Sequence, residues 1–292
     1  MKTAEAFGIH KFFTVSERIF MVCPYHLFML KTAASHMKKV VLLFCLILPA
    51  LAQPNLPPAE MDVRMGAQEE REILLDPYQY PILDRNTHAV IYSYLEQIKT
   101  NLLKSGQVRH AELFPWKIYV IDDPSTVNAF ATPGGYLYIY TGLLLYADNE
   151  AELAGVMAHE VAHADLRHAA QTMQPTGRFG FGRRRRGGQQ LLGRLRSLRF
   201  SRGQELEADE QSAVYMCATD YHAESMLGFL ERMAEEEGSN QLPRFLDSHP
   251  SDSQRLQLLS KTIAELKPEG QSKGEIRHDG ICRSLETYYR SF

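Results

Sequence analysis

The segment His159-Glu160-Val161-Ala162-His163 lies inside an apolar stretch formed by Ala151, Leu153, Ala154, Val156, Met157, Val161 and Ala162. That pairing constrains the fold more than any other feature, because the spacing predicts a mostly buried helix. On a helix, residues i and i+4 share a face, so both imidazoles point at one spot. A buried helix does not tolerate two histidines and a glutamate without partners. A metal ion is one such partner: neutral imidazole binds zinc well, at about 2.0–2.1 Å. Glu160, one position on from His159, then stands beside the metal rather than on it, where a general base belongs. The bland alternative is a pair of satisfied core histidines with a surface glutamate.

A catalytic zinc takes a third protein ligand and keeps an open position. His168 is the nearest candidate, but five residues after His163 a continuous helix has turned about 500°, onto another face. It reads as a supporting or structural histidine. The run Arg202-Gly203-Gln204-Glu205-Leu206-Glu207-Ala208-Asp209 offers more. Glu205 and Asp209 are again i and i+4. Glu205 can ligate the metal, while Asp209 can accept the ring N–H of a ligand histidine and so fix its tautomer. Glu207 and Glu210 read as solvated, and the competing account makes the whole run a solvated acidic face. A purely structural zinc site fits poorly, since such sites are usually closed by four Cys and His ligands.

The chain has 292 residues, 45% apolar and 23% charged, which is ordinary globular composition rather than that of a disordered protein. Its net charge of −3 points to no special partner. The N-terminus stands apart. Met37-Lys38-Lys39, the apolar run Val40–Leu48 and the Ala50-Leu51-Ala52 site have the order of a secretory signal peptide, residues 37–52. Residues 1–36 then read as a mis-called start upstream of Met37, and 53–61 as a stiff Pro-rich linker. The alternative is a longer N-terminal membrane anchor that also uses Ile19–Leu30. An exported chain meets oxidising conditions, so Cys217 and Cys282 can pair; equally, Cys217 can be a small core residue of an apolar helix.

Helical spacing covers Asp62–Leu75, Asn86–Leu103 (Val90, Ile91, Tyr94, Leu95, Ile98 and Leu102 on one face), Asn149–Met173, Gln204–Ala218, Ala223–Glu236 and Ser253–Leu266. Strands are predicted at Trp116–Ile121, Val127–Thr132 and Tyr136–Thr141, the last two paired as a hairpin across Pro133-Gly134-Gly135. The result is an α+β, mostly α, domain over 62–266 with a small antiparallel sheet. Gly177–Gly203 holds nine arginines and no acidic residue, and reads as a loop inserted in that domain. It is a lid, a peripheral contact with an anionic envelope surface, or an inert insertion. Nucleic acid is not an expected partner of an exported chain. Residues 267–292 read as a polar C-terminal tail.

Taken together, these residues resemble the exported and membrane zinc peptidases of the HtpX, BepA and LoiP type, peptidase family M48. The resemblance rests on His159–His163 with Glu205-x-x-x-Asp209, on Asn128-Ala129-Phe130-Ala131-x-Pro133-Gly134-Gly135, on Thr141-Gly142-Leu143-Leu144, and on Ser248-His249-Pro250 with Arg255. It runs from about Glu70 to Leu266. It implies a zincin, gluzincin-like fold, one zinc per chain held by His159, His163 and Glu205, Glu160 as the base, and Asp209 as the residue that orients a ligand histidine. In BepA-like members a histidine of the His-Pro loop can take the open metal position and keep the enzyme latent. His249 matches it, and Arg255 beside it is a second candidate for that position or for the oxyanion. The chain departs from the family in lacking the lipoprotein Cys expected directly after the Ala-x-Ala site and in showing no room for repeats after Leu266.

The implied function is a zinc metalloendopeptidase acting on unfolded or misassembled proteins in the cell envelope, soluble in the periplasm after signal cleavage. Asn128, Ala129 and Phe130 would present a strand edge to an extended substrate, which accepts many sequences because it binds through the backbone. The alternative is a zinc-stabilised periplasmic chaperone or envelope-assembly factor with little proteolysis. The oligomeric state is not read from the sequence.

Overall fold

A computed structural model describes residues 56–173, 199–236, 245, 248–250, 253–268 and 270–291. The expected leader and most of the arginine-rich stretch lie outside these residues.

The organising element is α4, Glu150–Asp165, every residue of which is buried. Asn149 starts it by accepting the Glu152 N–H at 3.1 Å, and Glu150 and Glu152 place negative charge at its N-terminal turn. Before it in the chain come α1 (Ala59–Leu74), α2 (Ala89–Leu103), β1 (Lys117–Ile121), β2 (Ala129–Thr132), β3 (Tyr136–Tyr140) and the short α3 (Thr141–Tyr146). After it come α5 (His168–Thr172), α6 (Arg202–Cys217), α7 (Glu224–Glu235), α8 (Ser253–Leu266) and α9 (Glu275–Tyr289). Helices α6 and α7 and strand β2 pack around α4. Leu153, Val156, Met157 and Val161 meet Ala208, Met216, Met226, Phe229 and Phe245 in one apolar core. At about 25 cal/mol per Å² of apolar surface buried, that core is the main stabilising term.

The hairpin forms as predicted, β2 antiparallel to β3 with Ala129 opposite Ile139 and Thr132 opposite Tyr136. Its turn uses positive φ at Gly134 (80°) and Gly135 (79°), where a Cβ would be strained. The sheet as a whole is mixed rather than antiparallel. Strand order is β1-β3-β2, and β1 runs parallel to β3. β2 is therefore an edge strand, and it faces α4.

Three further expectations are corrected. The long helix predicted to Met173 breaks after Asp165: Leu166 closes α4, and Arg167 turns left-handed (φ 60°) before α5 begins. Val90 points to solvent, unlike the other residues grouped with it on α2. The polar stretch after Leu266 contains α9, which buries His278, Ile281 and Leu285 and docks on α3 and α2. Tyr288 and Tyr289 anchor its end through Asp122, at 2.9 and 2.6 Å. Cys217 and Cys282 are free thiols, both half-buried.

Candidate metal centre

His159 and His163 project from α4 on the same face, as i and i+4 must. α6 crosses that face, started by a capping box in which Ser201 and Gln204 exchange side-chain bonds with each other's backbone N–H. It delivers Glu205 to the centre and Asp209 one turn behind. His249 arrives from the segment before α8. One ligand atom from each of His159, His163, Glu205 and His249 lies within 4.8 Å of the others, all four buried.

The separations test whether a metal fits. Nε2 of His159 and Nε2 of His163 are 3.0 Å apart. Glu205 stands 3.4 Å from His159 Nε2 and 3.6 Å from His163 Nε2. Nδ1 of His249 is 3.3 Å from His159 Nε2 and 3.2 Å from each Glu205 oxygen. Four ligands about 2.0–2.1 Å from one ion at tetrahedral angles are separated by about 3.3–3.4 Å. Three ring nitrogens and a carboxylate converging at these spacings have the donor chemistry of a divalent cation site.

Each imidazole is held from behind. Asp209 Oδ1 lies 3.0 Å from His159 Nδ1, a close ionic contact at an oblique angle. His163 Nδ1 meets Nδ1 of His168 at 2.9 Å, and His168 Nε2 meets Glu207 at 3.2 Å. Glu207 is thus exposed yet engaged, not simply solvated. Phe200 stacks on the His163 ring, centroids 4.0 Å apart, and Phe245 on His249 at 4.8 Å. Arg255 is buried behind Asp209. It donates from Nε and Nη2 to Asp209 (2.6 and 2.8 Å) and from Nη1 to the carbonyls of His249 and Pro250 (2.9 and 3.0 Å). Nη1 also stands 3.4 Å from Glu205, so the guanidinium links Glu205 and Asp209 of α6 to the loop that carries His249.

Charge follows from burial and neighbours. Burial, then the approach of His159, holds His163 well below its usual value, so it is the neutral imidazole a metal needs. Burial also pulls on His159, but Asp209 and Glu205 outweigh it and raise the ring to about 9. Glu205 and Asp209 stay ionised: burial works against this, and the histidines, with Arg255 for Asp209, prevail. Burial raises Glu160, opposed by His249 and His159. A carboxyl raised toward neutral pH is better matched to accept and return a proton.

Glu160 stands beside the cluster. Its Oε2 accepts the Ala131 N–H of β2 at 2.9 Å, and its Oε1 lies 3.2 Å from His249 Nε2. A cavity of about 140 Å³ opens there, lined by Asn128, Phe130, Ala131, Thr132, Glu160 and His249, with Glu69, Tyr80, Tyr140 and Phe200. Ala129 is fully buried and does not line it. The free edge of β2 is covered by its own chain: Phe245 N–H bonds Val127 O at 3.1 Å, and the Asn128 side chain takes the Ala129 N–H at 2.9 Å. Glu69, Tyr80, Phe200 and Phe245 were not singled out from the sequence. Aromatic residues and a lone acid carry no spacing signal of their own.

The chain matches the model of peptidase family M48 over residues 92–263. It belongs to that family. Among M48 relatives, it is 30% identical to the mitochondrial metalloendopeptidase OMA1 of Saccharomyces cerevisiae over 242 residues, 77% of this chain and 66% of that protein. It is 33% identical to OMA1 of Schizosaccharomyces pombe over 176 residues, 55% of this chain and 49% of that one. It is 27% identical to the beta-barrel assembly-enhancing protease of Escherichia coli K12 over 210 residues, 64% of this chain and 43% of that protein. The chain thus spans from under half to about two thirds of these relatives. The M48 match fixes the metallopeptidase class and agrees with the fold: mostly helical, with a small sheet beside the helix that carries His159 and His163.

Proposed function

We propose that this chain is a zinc-dependent endopeptidase that cleaves unfolded or misassembled proteins in the cell envelope. The observation that carries the reading is the placement of Glu160. Its carboxylate borders both the His159–His163–Glu205 cluster and a cavity walled by edge strand β2. A zinc ion held by those three residues would polarise the scissile carbonyl and acidify water. Glu160 accepts the proton and hands it to the leaving amine. The β2 edge aligns an extended substrate through its backbone, once Phe245 and the Asn128 side chain give way. The names of the relatives, a mitochondrial metalloendopeptidase and a beta-barrel assembly-enhancing protease, support the reaction.

In this proposal His249 keeps the enzyme latent. Its Nδ1 completes the ligand tetrahedron and its Nε2 engages Glu160, so one side chain occupies both the open position and the base. A closed four-ligand site also suits a zinc-stabilised chaperone that seldom cleaves, and one experiment separates the two. Cleavage of unfolded casein is measured for the zinc-loaded chain, for His249→Ala and for His249→Ala/Glu160→Gln. A latent peptidase gains activity in the first variant and loses it in the second. A binder stays silent in both, and the endopeptidase reading is then abandoned.

Export is proposed on Met37–Ala52, with cleavage leaving Gln53 at the mature N-terminus. Among the described residues no helix is long and apolar enough to cross a membrane. N-terminal sequencing of the chain recovered from an envelope fraction tests this; an intact Met37 segment in the membrane pellet would favour the anchor instead.

A further inference from the structure

Phe200 directly precedes Ser201, the residue that caps α6, and its ring lies against three histidines at or beside the metal centre. Centroid distances are 4.0 Å to His163, 5.9 Å to His168 and 6.2 Å to His249. Phe200 also walls two spaces. One is the cavity of about 140 Å³ that Glu160 and His249 line. The other is a recess of about 10 Å³ that His163 lines, and the two share Ala131, Thr132, Pro133, Ala169 and Phe200. The recess holds about one water-sized group, so a methyl or a hydroxyl fits it and a branched side chain does not. Its other walls are small or already engaged. Ala164, Ala169 and Ala170 offer methyl groups, while Asp62 and Arg167 are bonded to each other. A charged side chain finds no free counter-charge in that pair. Thr132 is 6% exposed, and its Oγ1 has no hydrogen-bond partner among the described residues. A buried hydroxyl left unpaired is costly, which favours an occupant with a polar atom to offer.

We infer that Phe200 is a specificity-determining residue of the cleft, closing the recess to all but a small side chain of the substrate, alanine or serine. The inference rests on the peptidase reading of the same cleft, and names the substrate class that reading leaves open. Phe200 covers the ring of His163, a proposed zinc ligand, so the substrate residue that meets it adjoins the bond being cleaved. A polypeptide laid along β2 points alternate side chains to one face. One of them can enter the recess beside Thr132 while its neighbours lie in the larger cavity or in solvent. With the Phe200 ring gone, the recess and the larger cavity merge, and a longer side chain is admitted.

The test separates binding from cleavage. Zinc-loaded full chain carrying His249→Ala and Glu160→Gln is titrated with fluorescent peptides identical except for one central residue: alanine, serine, leucine or phenylalanine. All flanking residues are larger than alanine, so only the central one can enter the recess. The alanine and serine peptides are expected to bind about tenfold or more tighter than the leucine and phenylalanine peptides. Adding Phe200→Ala should bring the alanine-to-leucine ratio toward one, and adding Phe200→Tyr, which keeps the ring, should preserve it. The His249→Ala chain with Glu160 intact is then given the same peptides, and kcat/KM should follow the same order. Small-residue preference in binding without cleavage would defeat the peptidase reading and leave the subsite standing. A Phe200 that only packs against His163 would, on removal, weaken every peptide alike and leave the ratio unchanged, which overturns the proposal. Equal affinity for the alanine and leucine peptides, or binding of neither, overturns it as well. The ratio measured with Phe200 in place decides even if Phe200→Ala does not fold.

Discussion

Nδ1 of His163 lies 2.9 Å from Nδ1 of His168, and His168 Nε2 lies 3.2 Å from Glu207. Only one proton arrangement lets His163 offer Nε2 to a metal. Nδ1 of His163 keeps its hydrogen and donates to His168, which donates from Nε2 to Glu207. The relay exists because Arg167 adopts a left-handed conformation and swings α5 back toward α4. Removing His168 is expected to weaken zinc affinity about 10- to 100-fold while leaving the ligands in place. Zinc release to a competing chelator, measured for wild type and His168→Ala, checks it. Glu207→Gln should give a smaller loss, since the amide can still accept and Glu207 is exposed. Equal affinity in wild type and His168→Ala would remove His168 from the site.

Arg167 also ties the end of α4 to α1. Its Nε and Nη2 donate to the two Asp62 oxygens at 2.7 and 2.9 Å, and Asp62 is buried. Arg167→Met strands that carboxylate and is expected to cost about 3 kcal/mol. Asp62→Asn should cost less, because the amide still accepts one bond and no charge is left buried on that side. The double variant should fall short of the sum by about 1 kcal/mol or more, the signature of a shared interaction. Urea unfolding of the four proteins closes the cycle, and strict additivity would mean that the pair contributes no coupling.

Much of the centre was legible because its spacing is local. His159/His163 and Glu205/Asp209 each fall on one helix face, and helix periodicity is written in adjacent turns. What the sequence hid is non-local. Whether β1 runs parallel or antiparallel to β3 depends on where the 122–128 segment leads the chain, not on the strands' own composition. The break at Arg167 has no glycine or proline to mark it; it is set by Asp62 across the cleft. α9 was missed because its buried stripe is thin, Ile281 and Leu285 with the polar His278. Arg255 read as a cation near the site, and only the fold shows its guanidinium joining Asp209, Glu205 and the carbonyls of His249 and Pro250.

His278 makes stability depend on pH. Burial lowers its pKa below 6.5, partly offset by the Ala147 carbonyl. The neutral ring donates from Nε2 to Ala147 O at 2.7 Å and accepts from the Tyr94 hydroxyl at Nδ1, 2.9 Å. The unfolded chain binds this proton more readily, so the contribution is complete above about pH 6.5 and is lost as pH falls toward the folded value. The melting temperature should drop between pH 7 and 5 with a steeper slope in wild type than in His278→Gln. Parallel slopes would show that other groups govern acid unfolding.

The same substitution should act in opposite directions at two helical glycines. Gly228, inside α7, has open space where a Cβ would stand. Gly228→Ala is expected to stabilise by about 0.5–1 kcal/mol through helix propensity alone. At Gly66 on α1 a Cβ would lie 1.9 Å from the Pro133 carbonyl and 2.6 Å from the Tyr136 ring. A backbone carbonyl cannot rotate aside, so the helix must lift from the turn, and the overpacking cost of about 1–3 kcal/mol exceeds the propensity gain. Thermal unfolding reads the two signs. A stabilised Gly66→Ala protein would mean that α1 does not need this close approach to the Pro133 carbonyl and the Tyr136 ring.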